Sequence, residues 1–125
     1  MNPFEEMIKI ARQNRKYSTY VRELDIDTHI HELISEVNEV EEAIKNKDME
    51  NLKEELGDVL WDTVTMLVIC EEKYGFGIDD SINNVIEKMK GRKPHIFEKK
   101  ILTLEEEKVI WDAAKVKEKM IRNDN

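Results

Sequence analysis

The sequence predicts an all-α protein, a helical bundle of about five helices, and three observations carry that reading. Four Gly and two Pro in 125 residues leave too few turn residues for the many hairpins of an all-β fold. Apolar residues recur at helical spacing along most of the chain, and no segment shows a convincing strand pattern. Capping and stop residues then fall at the ends of these periodic stretches.

The first helix begins near Pro3, a residue suited to a first turn, and carries Phe4, Met7, Ile8 and Ala11 on one side. It fades from Arg15 to Tyr20 into a looser polar segment. The second starts near Asp27 or Thr28, both capable N-caps. Ile30, Leu33, Ile34, Val37, Val40 and Ile44 define its buried side, with Glu41 projecting against type onto that side. Lys45-Asn46-Lys47-Asp48 ends it, and Asp48 caps the next helix. The third helix runs from about Met49 to Tyr74, with Gly75 as the stop signal. Its second half, VLWDTVTMLVIC, is apolar nearly all round, as for a helix covered on most sides. The fourth opens after Asp79-Asp80, shows Ile82, Val85, Ile86 and Met89, and halts at Gly91 before a basic turn, GRKPHIF. The last carries a capping box, Thr103 with Glu106. Val109, Ile110, Ala113, Val116, Met120 and Ile121 form its apolar face, and the IRNDN tail is expected to fray.

A chain of this length fits one compact domain, 1–125, with a core thin enough that contacts between subunits would help. The breadth of the apolar surface on the third helix points the same way, to helices pairing in a homodimer or a dimer of dimers. The formal net charge is −8, from 28 acidic and 20 basic residues. That is the opposite of what gripping a nucleic-acid backbone requires, so no nucleic-acid partner is expected. The lone cysteine, Cys70, has no basic neighbour in sequence to activate it and reads as a buried core thiol. A reducing cytoplasm is the simplest compartment. The N-terminus lacks a signal-peptide core. The longest apolar stretch, Val59 to Cys70, is interrupted by Asp62 and two threonines and is too short to cross a membrane.

Chemistry concentrates in two acidic pairs, Glu36 with Glu39 and Glu55 with Asp58. A spacing of three puts both members of a pair on one side of a helix. In so charged a chain an isolated pair is ordinarily a solvated face. The third helix argues otherwise, because Glu55, Asp58 and Asp62 form a stripe that continues into Met66 and Ile69. Carboxylates held together among apolar side chains repel one another and lose hydration. No interior lysine or arginine on that helix is near enough to help, so a cation is the natural relief. Oxygen-only ligands suit Mg²⁺ or Mn²⁺. Zinc would want nitrogen or sulfur, and a di-iron bundle would want Glu-x-x-His pairs, which His29 and His31 do not supply. The short linker makes the second and third helices antiparallel neighbours, so the two pairs can face each other. Positive charge gathers at Lys88, Lys90, Arg92 and Lys93, where it either complements a helix C-terminus or binds phosphate.

Together the segments ELISEVNEVEEAI, NLKEELGDVLWD and EKMKGRKPHIF resemble the MazG-type nucleotide pyrophosphohydrolases of the all-α NTP pyrophosphatase superfamily. The likeness covers roughly residues 17 to 120. It implies that Glu36, Glu39, Glu55 and Asp58 ligate magnesium, and that Lys88, Arg92 and Lys93 contact the triphosphate. Two departures, Tyr20 in place of a common Trp and Arg92-Lys93-Pro94-His95 in place of Arg-His-Pro-His, bear on substrate contacts and not on the metal cluster. The implied reaction is magnesium-dependent cleavage of NTP or dNTP between the α and β phosphates, giving a monophosphate and pyrophosphate. Phosphoribosyl-ATP and dCTP/dUTP pyrophosphohydrolysis are neighbouring possibilities. Two rivals belong to other classes. A non-catalytic magnesium or nucleotide sensor would be free to lose some of the four carboxylates. A purely structural dimerisation bundle would place leucine or isoleucine at positions 55, 58 and 62. Trp61 reads as core or as a base-stacking platform, His95 as structural or phosphate-contacting, and Glu32 as a fringe member of the acidic stripe.

Overall fold

The computed structural model describes Met1 to Asp124, and those residues form seven helices and no strand. Five are long: α1 (Pro3–Tyr17), α3 (Ile26–Lys45), α4 (Met49–Tyr74), α5 (Ile78–Arg92) and α7 (Leu104–Asp124). Two four-residue helices, α2 (Thr19–Arg22) and α6 (Pro94–Phe97), make up the difference from the expected five. The Ser18 hydroxyl accepts from the Val21 amide and starts α2, while Pro94 pre-sets the first turn of α6. Both arise from local chemistry too short to leave a periodic pattern. No helix among the described residues is long and apolar enough to cross a membrane.

The chain divides into two compact units, Met1–Ile78 and the segment from Asp79 onward. In the first, α4 is the central element and packs against α3 and α1, with α2 against α1. Asp48 caps α4, its carboxylate accepting from the Asn51 amide at 3.2 Å. At the other end Gly75 takes the left-handed conformation, φ +79°, that only glycine enters without strain. The 46–48 turn folds α3 and α4 into an antiparallel pair.

Three boundaries differ from the sequence reading. Helix α3 starts at Ile26 because Asp25 is its cap, accepting from the Thr28 amide at 2.8 Å. Asp27 and Thr28 thus lie inside the first turn. Helix α5 opens at Ile78, whose amide donates to the Glu71 carboxylate of α4 at 3.2 Å, a cap supplied from another helix. It runs through Gly91 to Arg92, since a helical glycine weakens a helix without ending it. The capping box of α7 is present in both directions, Thr103 to Glu106 at 3.1 and 3.2 Å. Helix α7 continues to Asp124, so the tail is helical that far, and Asn125 lies outside the described residues.

The larger correction concerns which face of α3 is covered. His29 and Ala43 are buried, and Leu33, Glu36 and Val40 are half-buried. The stripe expected inside is instead largely exposed: Ile30, Ile34, Val37 and Ile44, with Glu41 reaching Lys45 at 3.1 Å. On α4 the inward stripe is Glu55, Asp58, Asp62, Thr65 and Ile69, while Leu56 and Leu60 point out. Only Val64, Thr65, Val68 and Ile69 of the apolar run are buried, and Cys70 is half-buried. The helix pair therefore shares its inner side between apolar residues (Ala43, Val64, Val68 and Ile69) and half-buried carboxylates, and leaves a second apolar arc outside. The expected apolar face of α7 is likewise exposed at Val109, Ala113, Val116, Met120 and Ile121.

Candidate metal centre

The inward stripes of α3 and α4 bring Glu36, Glu39 and Glu55 together. One carboxylate oxygen from each lies within 4.8 Å of the others. Glu36 and Glu55 are half-buried and Glu39 is exposed, so the cluster opens to solvent on one side. Asp58, one turn beyond Glu55, falls outside this group of three, although its charge acts on Glu36. Asp62 is one further turn along, half-buried.

The electrostatics show the strain of this arrangement. Hydrogen bonds to Glu39 and Glu36, then desolvation and the charges of the same two residues, push the Glu55 carboxyl up to about 8. Held protonated, Glu55 donates to its neighbours. That bond favours ionised Glu36, but desolvation, the bond and charge of Glu39 and the charge of Asp58 outweigh it and raise Glu36 as well. Asp62 is raised by burial first, with His29 opposing. Even so, two buried oxygens, Glu36 Oε2 and Glu55 Oε2, have no hydrogen-bond partner. An unpaired buried acceptor carries a penalty of about 1–3 kcal/mol. A cation can neutralise the charge and satisfy both oxygens at once, and an all-oxygen donor set suits a hard divalent ion. The cluster can therefore hold a metal ion.

His29 was assigned no role from sequence, yet it buttresses this region. It is 2% exposed, and its Nε2 lies 2.7 Å from the Asp62 carbonyl oxygen. A readable signal was present: His29 precedes Glu36 by seven residues and so shares its face. Tyr20 donates to Glu32, tying α2 to the same end of α3.

In the second unit the basic residues sit at the end of α5 and in the turn beyond. Lys88 is exposed, and Arg92 and Lys93 are half-buried. The Arg92 guanidinium bonds Glu118 at 2.8 Å and lies 4.8 Å from the centre of the Trp111 ring, with Lys93 at 5.9 Å from that centre. Glu118 is held below its usual range, first by the Arg92 bond. His95 is buried, with Nε2 2.7 Å from Glu107, so it locks α6 to α7. Trp61 is half-buried and lines a cavity beside His29.

Comparison with known proteins converges on one family. The model of the MazG nucleotide pyrophosphohydrolase domain matches residues 25–97. The nucleoside triphosphate pyrophosphohydrolase/pyrophosphatase MazG of Thermotoga maritima is 45% identical over 65 residues, 52% of this chain and 26% of that one. A nucleoside triphosphate pyrophosphohydrolase of Mycobacterium tuberculosis is 32% identical over 89 residues, covering 70% and 27%. The uncharacterized protein YabN of Bacillus subtilis is 39% identical over 89 residues, covering 70% and 18%. The chain thus spans under a third of the length of these curated relatives. The crystal structure of a MazG-related protein from Thermotoga maritima superposes with a TM-score of 0.85 at 32% identity, over 89% of this chain and 97% of that one. With its inward acidic stripes and all-helical architecture, this chain belongs to the MazG nucleotide pyrophosphohydrolase domain family.

Proposed function

We propose that this chain is a magnesium-dependent nucleoside triphosphate pyrophosphohydrolase that cleaves NTP or dNTP to a monophosphate and pyrophosphate. The observation that carries the reading is the convergence of Glu36, Glu39 and Glu55 within 4.8 Å, with two buried carboxylate oxygens left unpaired. Relatives named for that reaction support it. Glu36, Glu39, Glu55 and Asp58 would hold Mg²⁺, with Mn²⁺ as a substitute. When bound, the ion neutralises charge on phosphate oxygens during in-line displacement. The chain's own task is then to position and to move protons. A carboxylate of the cluster orients the attacking water, and Asp62, one turn away, supports it. Lys88, Arg92 and Lys93 supply positive charge to the triphosphate.

The test is product analysis. Standard, deoxy and damaged nucleoside triphosphates are incubated with the protein in Mg²⁺ and in EDTA, and the products are separated. Monophosphate with pyrophosphate, abolished by EDTA, is expected. Diphosphate with orthophosphate would place the attack at the wrong phosphorus. Retained magnesium binding without any turnover would favour a sensor.

The outward apolar stripes of α3 and α4 support a homodimer or a dimer of dimers. Ile34 and Val37 are each 50% exposed and Leu56 52%. Burying such side chains contributes about 25 cal/mol per Å², a driving force the isolated chain leaves unused. Sedimentation velocity should show a dimer or larger at micromolar concentration. A fully active monomer would contradict this.

A further inference from the structure

A cavity of about 810 Å³ opens where the last turns of α1 and α4 meet α2, walled by Arg12, Arg15, Lys16, Arg22, Glu71 and Glu72. Its volume lies within the roughly 300–1,000 Å³ of pockets that hold small molecules. Glu71 follows Asp58 by thirteen residues on α4, about 20 Å along the helix axis, so the cavity is separate from the carboxylate cluster. All six residues belong to the first unit, whereas Lys88, Arg92 and Lys93 belong to the second.

Four cations share this cavity with two carboxylates, a surplus of two positive charges in a chain whose formal net charge is −8. Two of the cations are fastened. Arg12 donates to both oxygens of Glu71, at 2.9 and 3.4 Å, and Arg15 to both oxygens of Glu72, at 2.9 and 3.4 Å. Arg15 also donates to the Val21 carbonyl, and its side chain is only 12% exposed. Glu71 and Glu72 are both held below the usual carboxylate range, first by these bonds to Arg12 and Arg15, and Glu72 also feels the charges of Arg22 and Lys73. They stay ionised at neutral pH and keep the arginines in place.

Two ion pairs are enough to hold α1 against α4, and they leave half of the positive charge unused. The side chains of Lys16 and Arg22 enter no hydrogen bond or ion pair among the described residues. The fastened arginines keep donors as well. A guanidinium has five N–H groups, of which Arg12 uses two and Arg15 three.

We infer that this cavity is an anion site, distinct from the metal centre, that takes a small phosphorylated anion. The inference is independent of the pyrophosphohydrolase reading. A guanidinium fork matches phosphate oxygens in pairs and gives up its hydration more readily than an ammonium. Arg12 and Arg15 are already ordered by their glutamates, so little rotamer freedom is lost when an anion arrives. Lys16 and Arg22 then supply charge that no protein group neutralises. A lone carboxylate or chloride brings one charge to a surplus of two, whereas a phosphate group brings up to two. Because Lys16 lies near the end of α1 and Arg22 on α2, an anion with two phosphate groups has more cations to reach than one with a single group.

The experiment is a solution NMR titration of the isotope-labelled full chain with inorganic pyrophosphate, in metal-free buffer at constant ionic strength. Backbone amides of residues 12–22 and 68–72 should shift saturably, at least about fivefold more tightly than with orthophosphate. Lys16→Ala combined with Arg22→Ala removes two exposed, unpaired side chains and should weaken binding at least about tenfold with helicity unchanged. Lys88→Ala, at the proposed triphosphate contacts, should leave these shifts as they are. No saturable shift of these amides at millimolar pyrophosphate would overturn the inference, as would the same shifts with sodium chloride alone. Unchanged affinity in the folded double variant would overturn it too, as would shifts confined to residues 88–95. A parallel titration with ADP assigns the source: saturation as tight as with pyrophosphate supports the phosphate tail of a nucleotide, and weaker saturation supports the free anion. With no metal present and no turnover measured, the result stands or falls apart from the proposed reaction.

Discussion

Replacing Glu55 by Gln is expected to lower triphosphate turnover at saturating Mg²⁺ by at least about 100-fold while leaving the fold intact. Losing a group that only supports a metal ligand typically costs 10–100-fold, and Glu55 is proposed as a ligand itself. It sits at the centre of the cluster, hydrogen-bonded to both Glu36 and Glu39. Gln keeps the shape and one oxygen but removes the charge that a divalent ion requires. In the metal-free protein the same change should be nearly silent. A carboxyl raised to about 8 is largely protonated at neutral pH, and the neutral amide resembles that form. The pattern is thus a collapse of kcat with an unchanged Tm in EDTA. Turnover within threefold of the natural chain would remove Glu55 from the ligand set.

The second large effect is on stability against pH. Glu55 binds its proton more tightly in the folded chain, at about 8 against an ordinary 4.5. Between those values the folded state holds more protons than the unfolded state, so stability falls as pH rises through that window and levels off above it. Glu36, also raised, adds in the same direction. Carboxylates held low contribute with the opposite sign. Glu71, bonded first to Arg12, and Glu118, bonded first to Arg92, lend stability that is lost as pH falls below 4.5 through their folded values. Melting in EDTA should therefore decline from pH 5 to 8, and Mg²⁺ should lessen the decline by replacing the shared proton. Magnesium affinity should rise over the same interval. Identical pH profiles with and without Mg²⁺ would separate the ion from this cluster.

Much of the candidate site was legible because helical spacing is rigid. Glu36 and Glu39, or Glu55 and Asp58, share a face wherever their helices end, and the turn closed by Asp48 leaves α3 and α4 little choice but to lie antiparallel. Asp58 shows the limit of that argument. Spacing puts it on the inward side of α4, but only the packing of the two helices decides which three oxygens come within 4.8 Å. His29 was missed for a related reason. Its spacing of seven from Glu36 gives the face it lies on, but its role depends on the Asp62 carbonyl 33 residues away.

By itself the sequence determined the all-helical class, the ends of α4, the capping box of α7 and the order of the acidic pairs. All of these rest on contacts within a few residues, where backbone geometry leaves few alternatives. Tertiary structure alone decided which side of α3 is inside. The apolar arc of Ile30, Ile34, Val37 and Ile44 dominates any reading by periodicity, yet α3 meets α4 through His29, Glu36 and Ala43. A hydrophobic stripe says that a helix wants cover on that side. It does not say whether the cover comes from the same chain, and here the inward side is shared by buried His29 and Ala43 and by carboxylates that meet only because two helices hold them face to face.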